Sequence, residues 1–145
     1  CYVFDDEQRL LVTRRAEDKR TWPGVWTNSA CGHPGPGEEI RDAVRRRLRT
    51  ELGLDVERVW PLLPDFRYRA VMPNGIVENE ICPVFRASVP AGTVPSPAAD
   101  EVAEFRWLPW TDFSARVLSG DFEVSPWCRL QVEQLAAREF GTWMS

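Results

Sequence analysis

A cysteine and the only histidine of the chain stand two residues apart in a segment rich in glycine and proline. Cys31 and His33 follow a short strand-like stretch and precede a helical pattern, and loops of this kind often bind ligands beside a helix N-terminus. A cysteine taken alone is more often a small buried hydrophobe, and a lone histidine is more often structural. Their shared placement favours a reactive or binding loop.

Two carboxylates alternate along a second segment. Glu78, Glu80 and Cys82 fall on one face of a predicted strand, so the two carboxylates stand about 7 Å apart at their backbones. Like charges at this spacing repel each other unless a proton or a cation lies between them. Together with His33 they form a candidate site for a divalent metal ion. A solvated face of an edge strand is the simpler alternative.

Positive charge gathers in two places of an acidic chain. The two groups are Arg45, Arg46, Arg47 and Arg49, and Arg14, Arg15, Lys19 and Arg20. Either group alone could be a solvated face, but two of them in one acidic protein indicate a diphosphate site. Glu51, beside the first group, is then a candidate ligand for magnesium that bridges the phosphates.

The composition is that of a globular protein. The chain has 145 residues, 43% hydrophobic and 28% charged, which suits one core and a single domain over residues 1–145. Its net charge of -4 argues against nucleic acid as the main partner, and no apolar run is long enough to span a membrane. The four cysteines are widely spaced, so we expect free thiols. We expect a soluble, cytoplasmic monomer or weak dimer.

The periodicity of apolar residues predicts a mixed sheet with helices packed against it, an α/β (α+β) fold. Strands are predicted over residues 1–4, 9–14, 25–29, 59–71, 76–87 and 104–108. An amphipathic helix is predicted over residues 38–52 and ends before Gly53. Thr111 is predicted to cap a short helix, and Ser125 a longer one that runs to about residue 140.

The spacing from the loop into the first helix resembles the Nudix box, G-x5-E-x7-R-E-U-x-E-E-x-G-U. The matching positions are Gly32, Glu38, Arg46, Leu48, Glu51, Gly53 and Leu54. Two acidic positions of the pattern hold Arg47 and Thr50 instead. In Nudix hydrolases these glutamates assemble the magnesium cluster that activates water on a diphosphate. The resemblance therefore implies the Nudix fold, a mixed β-sheet sandwiched between α-helices, and disfavours hydrolysis.

Longer strings spread over almost the whole chain resemble the type 1 isopentenyl diphosphate isomerases, a branch of the Nudix superfamily. In chain order they are TRRA at 13–16, WPGVWTNS at 22–29, CGHP at 31–34, FRYR at 66–69, VENEICPV at 77–84 and SPW at 125–127. Their number and order make the resemblance specific. It implies an isomerase that interconverts isopentenyl and dimethylallyl diphosphate by protonation and deprotonation through a tertiary carbocation.

Carried over position by position, the resemblance implies a proton-transfer site. Cys31 and Glu80 would be the catalytic pair on opposite faces of the allylic system, with Tyr68 assisting the acid. Cys31 would relay the second proton, and a thiolate form would require nearby positive charge to lower its pKa. Trp127 would lie against the isoprenyl group, where an indole face stabilises a cation without attacking it.

The resemblance also implies metal ions and phosphate contacts. His33, Glu78 and Glu80 would bind one zinc or manganese ion. Glu51 would bind magnesium on the diphosphate, aided by the backbone carbonyl of Cys31. The phosphate contacts would come from Arg15, Lys19 and Arg47.

The active-site face fixes the register of the hairpin. If Tyr68 and Glu80 share this face, they must lie opposite each other across a turn of odd length. That register pairs Met72 with Ile76 and leaves residues 73–75, Pro-Asn-Gly, as a three-residue loop with glycine in the left-handed position. We predict this loop over a two-residue Asn-Gly turn.

The chain departs from the family pattern in its histidines. The family's metal site takes two further histidines, and its substrate site a lysine, from a segment before the first hairpin, whereas His33 is the only histidine here. We therefore expect a native N-terminal segment ahead of Cys1 that supplies them.

Two other functions remain open from the sequence. The first is a Nudix diphosphohydrolase that acts on a nucleotide or prenyl diphosphate and releases phosphate with magnesium alone. The second is a noncatalytic diphosphate-binding module, in which Cys31→Ala would leave function unchanged.

Overall fold

A mixed sheet with helices on both faces forms the scaffold. The computed structural model describes residues 1–138 and 140–144. The strands are β1 (Tyr2–Phe4), β2 (Arg9–Arg15), β3 (Trp26–Thr27), β4 (Trp60–Leu63), β5 (Arg67–Val71), β6 (Val77–Ile81), β7 (Val84–Ser88) and β8 (Val102–Pro109). The helices are α1 (Ile40–Leu52), α2 (Trp110–Ser119), α3 (Pro126–Ala136) and α4 (Phe140–Met144).

Strand β2 lies at the centre of the main sheet. One of its edges pairs with antiparallel β8 along its whole length, and β1 and β3 share the other edge. Strand β1 runs parallel to β7, and β7 runs antiparallel to β4. Strands β5 and β6 form a separate two-stranded sheet.

Alternation along β2 explains why helices cover both faces of the sheet. Leu10 and Val12 belong to one buried cluster, which includes apolar residues of α2 and α3. Leu11 points the other way and packs in a second cluster with Leu48 and Leu52 of α1. The predicted sandwich of a mixed sheet between helices is thus confirmed.

Two of the predicted strands are wrong in extent, because each is broken by a proline. The run over 59–71 divides into β4 and β5 at a turn that contains Pro64. The run over 76–87 divides into β6 and β7 before Val84, because Pro83 has no N–H to donate to a ladder. The breaks separate the β5–β6 hairpin from the main sheet. The strand expected over 25–29 is also shorter and spans only β3.

The helix predictions hold at some ends and fail at others. Helix α1 ends at Leu52, with Gly53 in the left-handed region at φ 64°, as expected, but it begins at Ile40 rather than at 38. Ser125 caps α3, and its side-chain oxygen accepts a hydrogen bond from the Cys128 N–H. Thr111 is not a cap, because α2 already begins at Trp110. Helix α3 ends at Ala136 and does not reach 140, and residue 139 lies outside the described residues.

The predicted hairpin register is confirmed. Tyr68 pairs with Glu80, and the Met72 N–H donates to the Ile76 carbonyl oxygen at 2.8 Å. Residues 73–75 form the turn, with Gly75 at φ 88°. The side chains of Tyr68 and Glu80 therefore start from the same face of the hairpin.

Two further expectations concern cysteines and membranes. All four cysteines are free, as expected. Within the described residues, no helix is both long and apolar enough to cross a bilayer.

Candidate active site

A cavity of about 560 Å³ brings the predicted site residues together. It lies between the loop that follows β3, helix α1 and the β5–β6 hairpin. The predicted residues in its wall are Arg15, Lys19, Cys31, His33, Arg47, Tyr68, Glu78, Glu80 and Trp127. Glu51 is buried and forms an ion pair with Arg47 of this wall.

The loop after β3 is held against α1 by two positions of the Nudix-like pattern. The Glu38 carboxylate accepts from the Gly35 N–H at 2.8 Å, and Arg46 Nε donates to Glu38 Oε2 at 3.0 Å. Gly32 allows the loop to approach Arg47, since a Cβ at Gly32 would lie 2.5 Å from Arg47 Nε. These contacts place Cys31 and His33 beside the first turns of the helix.

Cys31 enters the cavity from this loop, and Glu80 enters it from β6. The Cys31 thiol donates to Asn28 Oδ1 at 3.5 Å. Burial raises the pKa of the Cys31 thiol, and nearby Arg15 offsets only part of this effect. The positive charges of the N-terminus and Arg15 thus lower the pKa of the Cys31 thiol less than burial raises it.

Tyr68 contacts Glu78 rather than Glu80. Its hydroxyl donates to Glu78 Oε2 at 2.6 Å, although Tyr68 pairs with Glu80 across the ladder. A long aromatic side chain reaches the diagonal neighbour on the same face of a hairpin as readily as the residue directly opposite. Burial raises the pKa of the Tyr68 hydroxyl, and the hydrogen bond to Glu78 raises it further. We call Cys31, Tyr68, Glu78, Glu80 and Trp127 the thiol cluster.

Two of the three expected zinc or manganese ligands are in contact. His33 Nε2 lies 3.3 Å from Glu80 Oε1, while the nearest polar partner of Glu78 is the Tyr68 hydroxyl. Across residues 1–138 and 140–144, no group of three or more His, Cys, Asp or Glu side chains is arranged to hold a metal. Structural and catalytic zinc sites take at least three protein ligands. The residues present therefore do not fit such an ion by themselves.

Glu51 offers a better fit to a hard cation. Arg47 Nη2 lies 3.1 Å from Glu51 Oε1, whereas the buried Glu51 Oε2 has no hydrogen-bond partner. Burial raises the pKa of Glu51 to about 7, against the lowering effect of Arg47. An unpartnered carboxylate oxygen is the type of ligand that magnesium takes. Glu51 is thus suited to hold magnesium at this side of the cavity.

Glu101 is a member of the site that the sequence did not single out. Lys19 Nζ lies 2.6 Å from Glu101 Oε2, and Arg47 Nη2 lies 3.5 Å from the same oxygen. Glu101 also raises the pKa of the neighbouring Glu51. We call Lys19, Arg47, Glu51 and Glu101 the charged cluster. Glu101 follows a loop and lies 82 residues from Lys19, so no local pattern indicates the contact.

Arg15 lies against the Trp127 ring of the thiol cluster. Arg15 donates twice to the Thr21 carbonyl oxygen, at 3.0 and 2.8 Å, and its Cζ lies 5.2 Å from the centroid of the Trp127 ring. The Trp127 ring also packs against Trp22 and Tyr68, with centroids 5.5 and 5.8 Å away. The indole thus already contacts a cation in this structure, which suits a ring at a cationic site.

The chain matches known proteins over most of its length. The model of the NUDIX domain matches residues 1–128. An isopentenyl-diphosphate Delta-isomerase of Saccharopolyspora erythraea is 56% identical over 135 residues, which are 93% of this chain and 69% of that protein. One of Mycolicibacterium vanbaalenii is 52% identical over 141 residues, 97% of this chain and 76% of that protein.

A solved structure supports the fold alone. The dihydroneopterin triphosphate pyrophosphohydrolase of E. coli superposes with a TM-score of 0.66 at 18% identity, over 92% of this chain and 89% of that one.

Proposed function

The chain carries a NUDIX domain and belongs to the isopentenyl-diphosphate Delta-isomerase family, and we propose that it interconverts isopentenyl and dimethylallyl diphosphate. The reaction adds a proton to the terminal alkene carbon, passes through a tertiary carbocation and removes a different proton from the neighbouring methylene. Atoms balance because one proton enters and one leaves. The enzyme must therefore present two proton-transfer groups and a place for a cation.

The observation that carries the proposal is the composition of the cavity. A thiol and a carboxylate, Cys31 and Glu80, line the same space as the aromatic face of Trp127 and the cations of the charged cluster. The substrate is a hydrocarbon with a diphosphate at one end. Its apolar part is suited to Trp127, and its anionic part is suited to the cations. The cavity can therefore take both parts of the substrate at once.

Cys31 and Glu80 are proposed as the proton-transfer pair. They come from different elements, the loop after β3 and strand β6, and both line the cavity. The group that gives its proton in one direction of the reaction takes it back in the other.

Trp127 is proposed to stabilise the carbocation. The ring is 3% exposed, and desolvation strengthens the attraction between an indole face and a cation to roughly 2 kcal/mol or more. A carboxylate at this place could form a bond to the cation, whereas the indole face does not.

The charged cluster is proposed to bind the diphosphate through Lys19 and Arg47, with Arg15 as a third cation. Magnesium held by Glu51 would neutralise charge on the phosphate oxygens when bound. Glu101 keeps the two cations of the cluster in place through its contacts at 2.6 and 3.5 Å. The zinc or manganese ion expected at His33, Glu78 and Glu80 needs ligands beyond His33 and Glu80, the pair in contact, and no step above depends on it.

The hydrolase alternative is disfavoured by the position of Arg47. The Nudix-like pattern requires a glutamate there for the magnesium cluster, and this chain instead has a guanidinium 3.1 Å from Glu51. The second replaced position, Thr50, lies exposed on α1. A cluster with one buried carboxylate and a competing cation is poorly suited to activate water.

Product analysis tests the proposal. Incubation with isopentenyl diphosphate and magnesium, with and without added zinc or manganese, should yield dimethylallyl diphosphate at equilibrium and no free phosphate. Release of phosphate or diphosphate with magnesium alone would identify a hydrolase. Tight binding of the substrate with neither product would identify a binding module.

A further inference from the structure

Asn28 lies directly after β3 with its side chain almost fully buried, at 1% exposure. Its amide nitrogen donates to the backbone carbonyl oxygens of Cys1 and Ala30, at 2.9 and 3.0 Å. Two acceptors on the nitrogen side fix the orientation of the amide, since a flipped group would place its oxygen against both carbonyls. The amide oxygen is therefore held in one direction.

Asn28 Oδ1 accepts hydrogen bonds from two members of the thiol cluster. Trp127 Nε1 donates to Asn28 Oδ1 at 3.2 Å, and the Cys31 thiol donates to the same atom at 3.5 Å. Thr27 Oγ1 is a third donor, at 2.9 Å. One atom thus links the loop that carries Cys31 to helix α3, which carries Trp127.

Apart from Asn28, the only side-chain hydrogen bond described for the Cys31 thiol and the Trp127 indole N–H is the one between them. A cysteine side chain turns about a single bond, and a thiol is a weak donor, so a fixed acceptor selects one position of Sγ among three rotamers. A buried indole N–H requires an acceptor, and its hydrogen bond sets the angle of the ring. Asn28 therefore fixes the placement of the sulfur relative to the ring.

We propose that Asn28 is a positioning residue that holds Cys31 Sγ and the Trp127 ring in the relative placement required for proton transfer to and from the substrate. This role rests on the proposed isomerase function. Asn28 makes no contact with Lys19, Arg47, Glu51 or Glu101 in the hydrogen bonds and ion pairs described, so it acts on the chemical step and leaves the capture of the diphosphate unchanged.

The test compares Asn28→Ala with Ser29→Ala in the full chain. Ser29 is equally buried in the same segment, but its hydroxyl contacts the Val3 N–H and the Leu11 carbonyl, away from the cavity. Ser29→Ala thus reproduces the loss of buried hydrogen bonds without touching Cys31 or Trp127. Asn28→Ser serves as a second variant if Asn28→Ala does not fold, because its shorter side chain cannot reach both donors.

Two readouts are needed. In steady-state assays, Asn28→Ala should lower kcat about 10²-fold and change KM less than threefold, as expected for a misplaced reacting group, while Ser29→Ala keeps kcat within threefold of the wild type. In ¹⁵N spectra, the indole N–H signal of Trp127, assigned with Trp127→Phe, should shift in Asn28→Ala and stay in place in Ser29→Ala.

The proposal is overturned if a folded Asn28 variant keeps the kcat of Ser29→Ala, if the loss appears in KM alone, or if the Trp127 indole signal does not move. An inactive wild-type enzyme would instead contradict the isomerase function. The two failures can be told apart because the indole signal reports the position of Trp127 without any turnover.

Discussion

The two clusters that share the cavity are held in place by different forces. In the charged cluster, carboxylates and cations pair with each other, and Arg47 contacts both Glu51 and Glu101. In the thiol cluster, Tyr68 contacts Glu78 through a hydrogen bond of 2.6 Å and Trp127 through its ring, while His33 lies beside Glu80 and Arg15 beside the Trp127 ring. Ion pairs tolerate small displacements because Coulomb attraction falls slowly with distance, whereas hydrogen bonds and proton transfers do not.

This difference separates binding from chemistry. Changes in the charged cluster should alter the affinity for the diphosphate and the response of the protein to pH. Changes in the thiol cluster should alter the chemical step at nearly constant affinity. The two clusters can therefore be tested against each other, residue by residue.

The largest effect is expected for the proton-transfer pair. Cys31→Ala or Glu80→Gln should lower kcat by about 10³-fold or more, because each removes a group that carries a proton in the transition state. Binding of the substrate, measured by calorimetry, should change little. Cys82→Ala is the matched control, since Cys82 is a second free thiol in the wall of the same cavity. Equal activity of Cys31→Ala and Cys82→Ala would exclude Cys31 from the chemistry.

Glu51 should give the metal-free protein a characteristic pH dependence. Its folded-state pKa is raised to about 7, so the folded protein keeps a proton that the unfolded chain loses above its usual pKa near 4.5. The unfolded state then binds fewer protons, and the free energy of unfolding falls as pH rises from about 4.5 to 7, by roughly 3 kcal/mol at most.

Urea unfolding at pH 5 and pH 8 without metal measures this loss. Glu51→Gln should remove most of it, and magnesium should raise the stability of the wild type at pH 8 but not that of the variant. Glu133→Gln, an exposed carboxylate on α3, should retain the wild-type pH dependence. The same fall in stability in Glu51→Gln and wild type would show that another group is responsible.

Tyr68→Phe should lower kcat about tenfold, the size expected for loss of one hydrogen bond to a charged group. The phenylalanine retains the ring contacts with Phe66 and Trp127 and removes only the bond to Glu78. Tyr2→Phe is a matched control, because the Tyr2 hydroxyl is buried against Gln131, outside the hairpin. An increase in KM without a change in kcat would show that the Tyr68 hydroxyl acts in substrate binding and not in the chemical step.

Glu101→Ala should have the smallest effect, a rise in KM of about fivefold with kcat within twofold. Lys19 and Arg47 lose the carboxylate that orders them, and ordering one long side chain costs about 0.5–1.5 kcal/mol. Glu104→Ala, which removes a nearby carboxylate that pairs with Arg14, should keep the wild-type KM. A fall in kcat at unchanged KM in Glu101→Ala would contradict the assignment of the charged cluster to substrate binding.

Local rules in the sequence were sufficient to predict several structural elements. The hairpin register followed from the two-residue period of a strand and from the Pro-Asn-Gly turn, and Gly53 and Ser125 marked helix ends through their own backbone and side-chain chemistry. The strand breaks at Pro64 and Pro83 were only partly predictable from proline, since Pro61 and Pro109 lie inside the paired strands β4 and β8.

The remaining site contacts depend on distant parts of the chain. Asn28 and Trp127 are 99 residues apart, and Lys19 and Glu101 are 82 apart, so neither pair leaves a periodic signal. The sequence did not determine the hydrogen-bond partner of Tyr68, for another reason. The ladder fixes the face of the hairpin but not which of two carboxylates on that face a long side chain reaches.

Turnover in deuterated water tests the central claim most directly. If Cys31 and Glu80 transfer protons to and from the substrate, dimethylallyl diphosphate formed by the wild type in deuterium oxide should carry deuterium in its methyl groups. Cys31→Ala and Glu80→Gln should lower the rate at which product and label appear by about 10³-fold or more. Product that forms without solvent deuterium, or label that persists at the wild-type rate in both variants, would contradict the account.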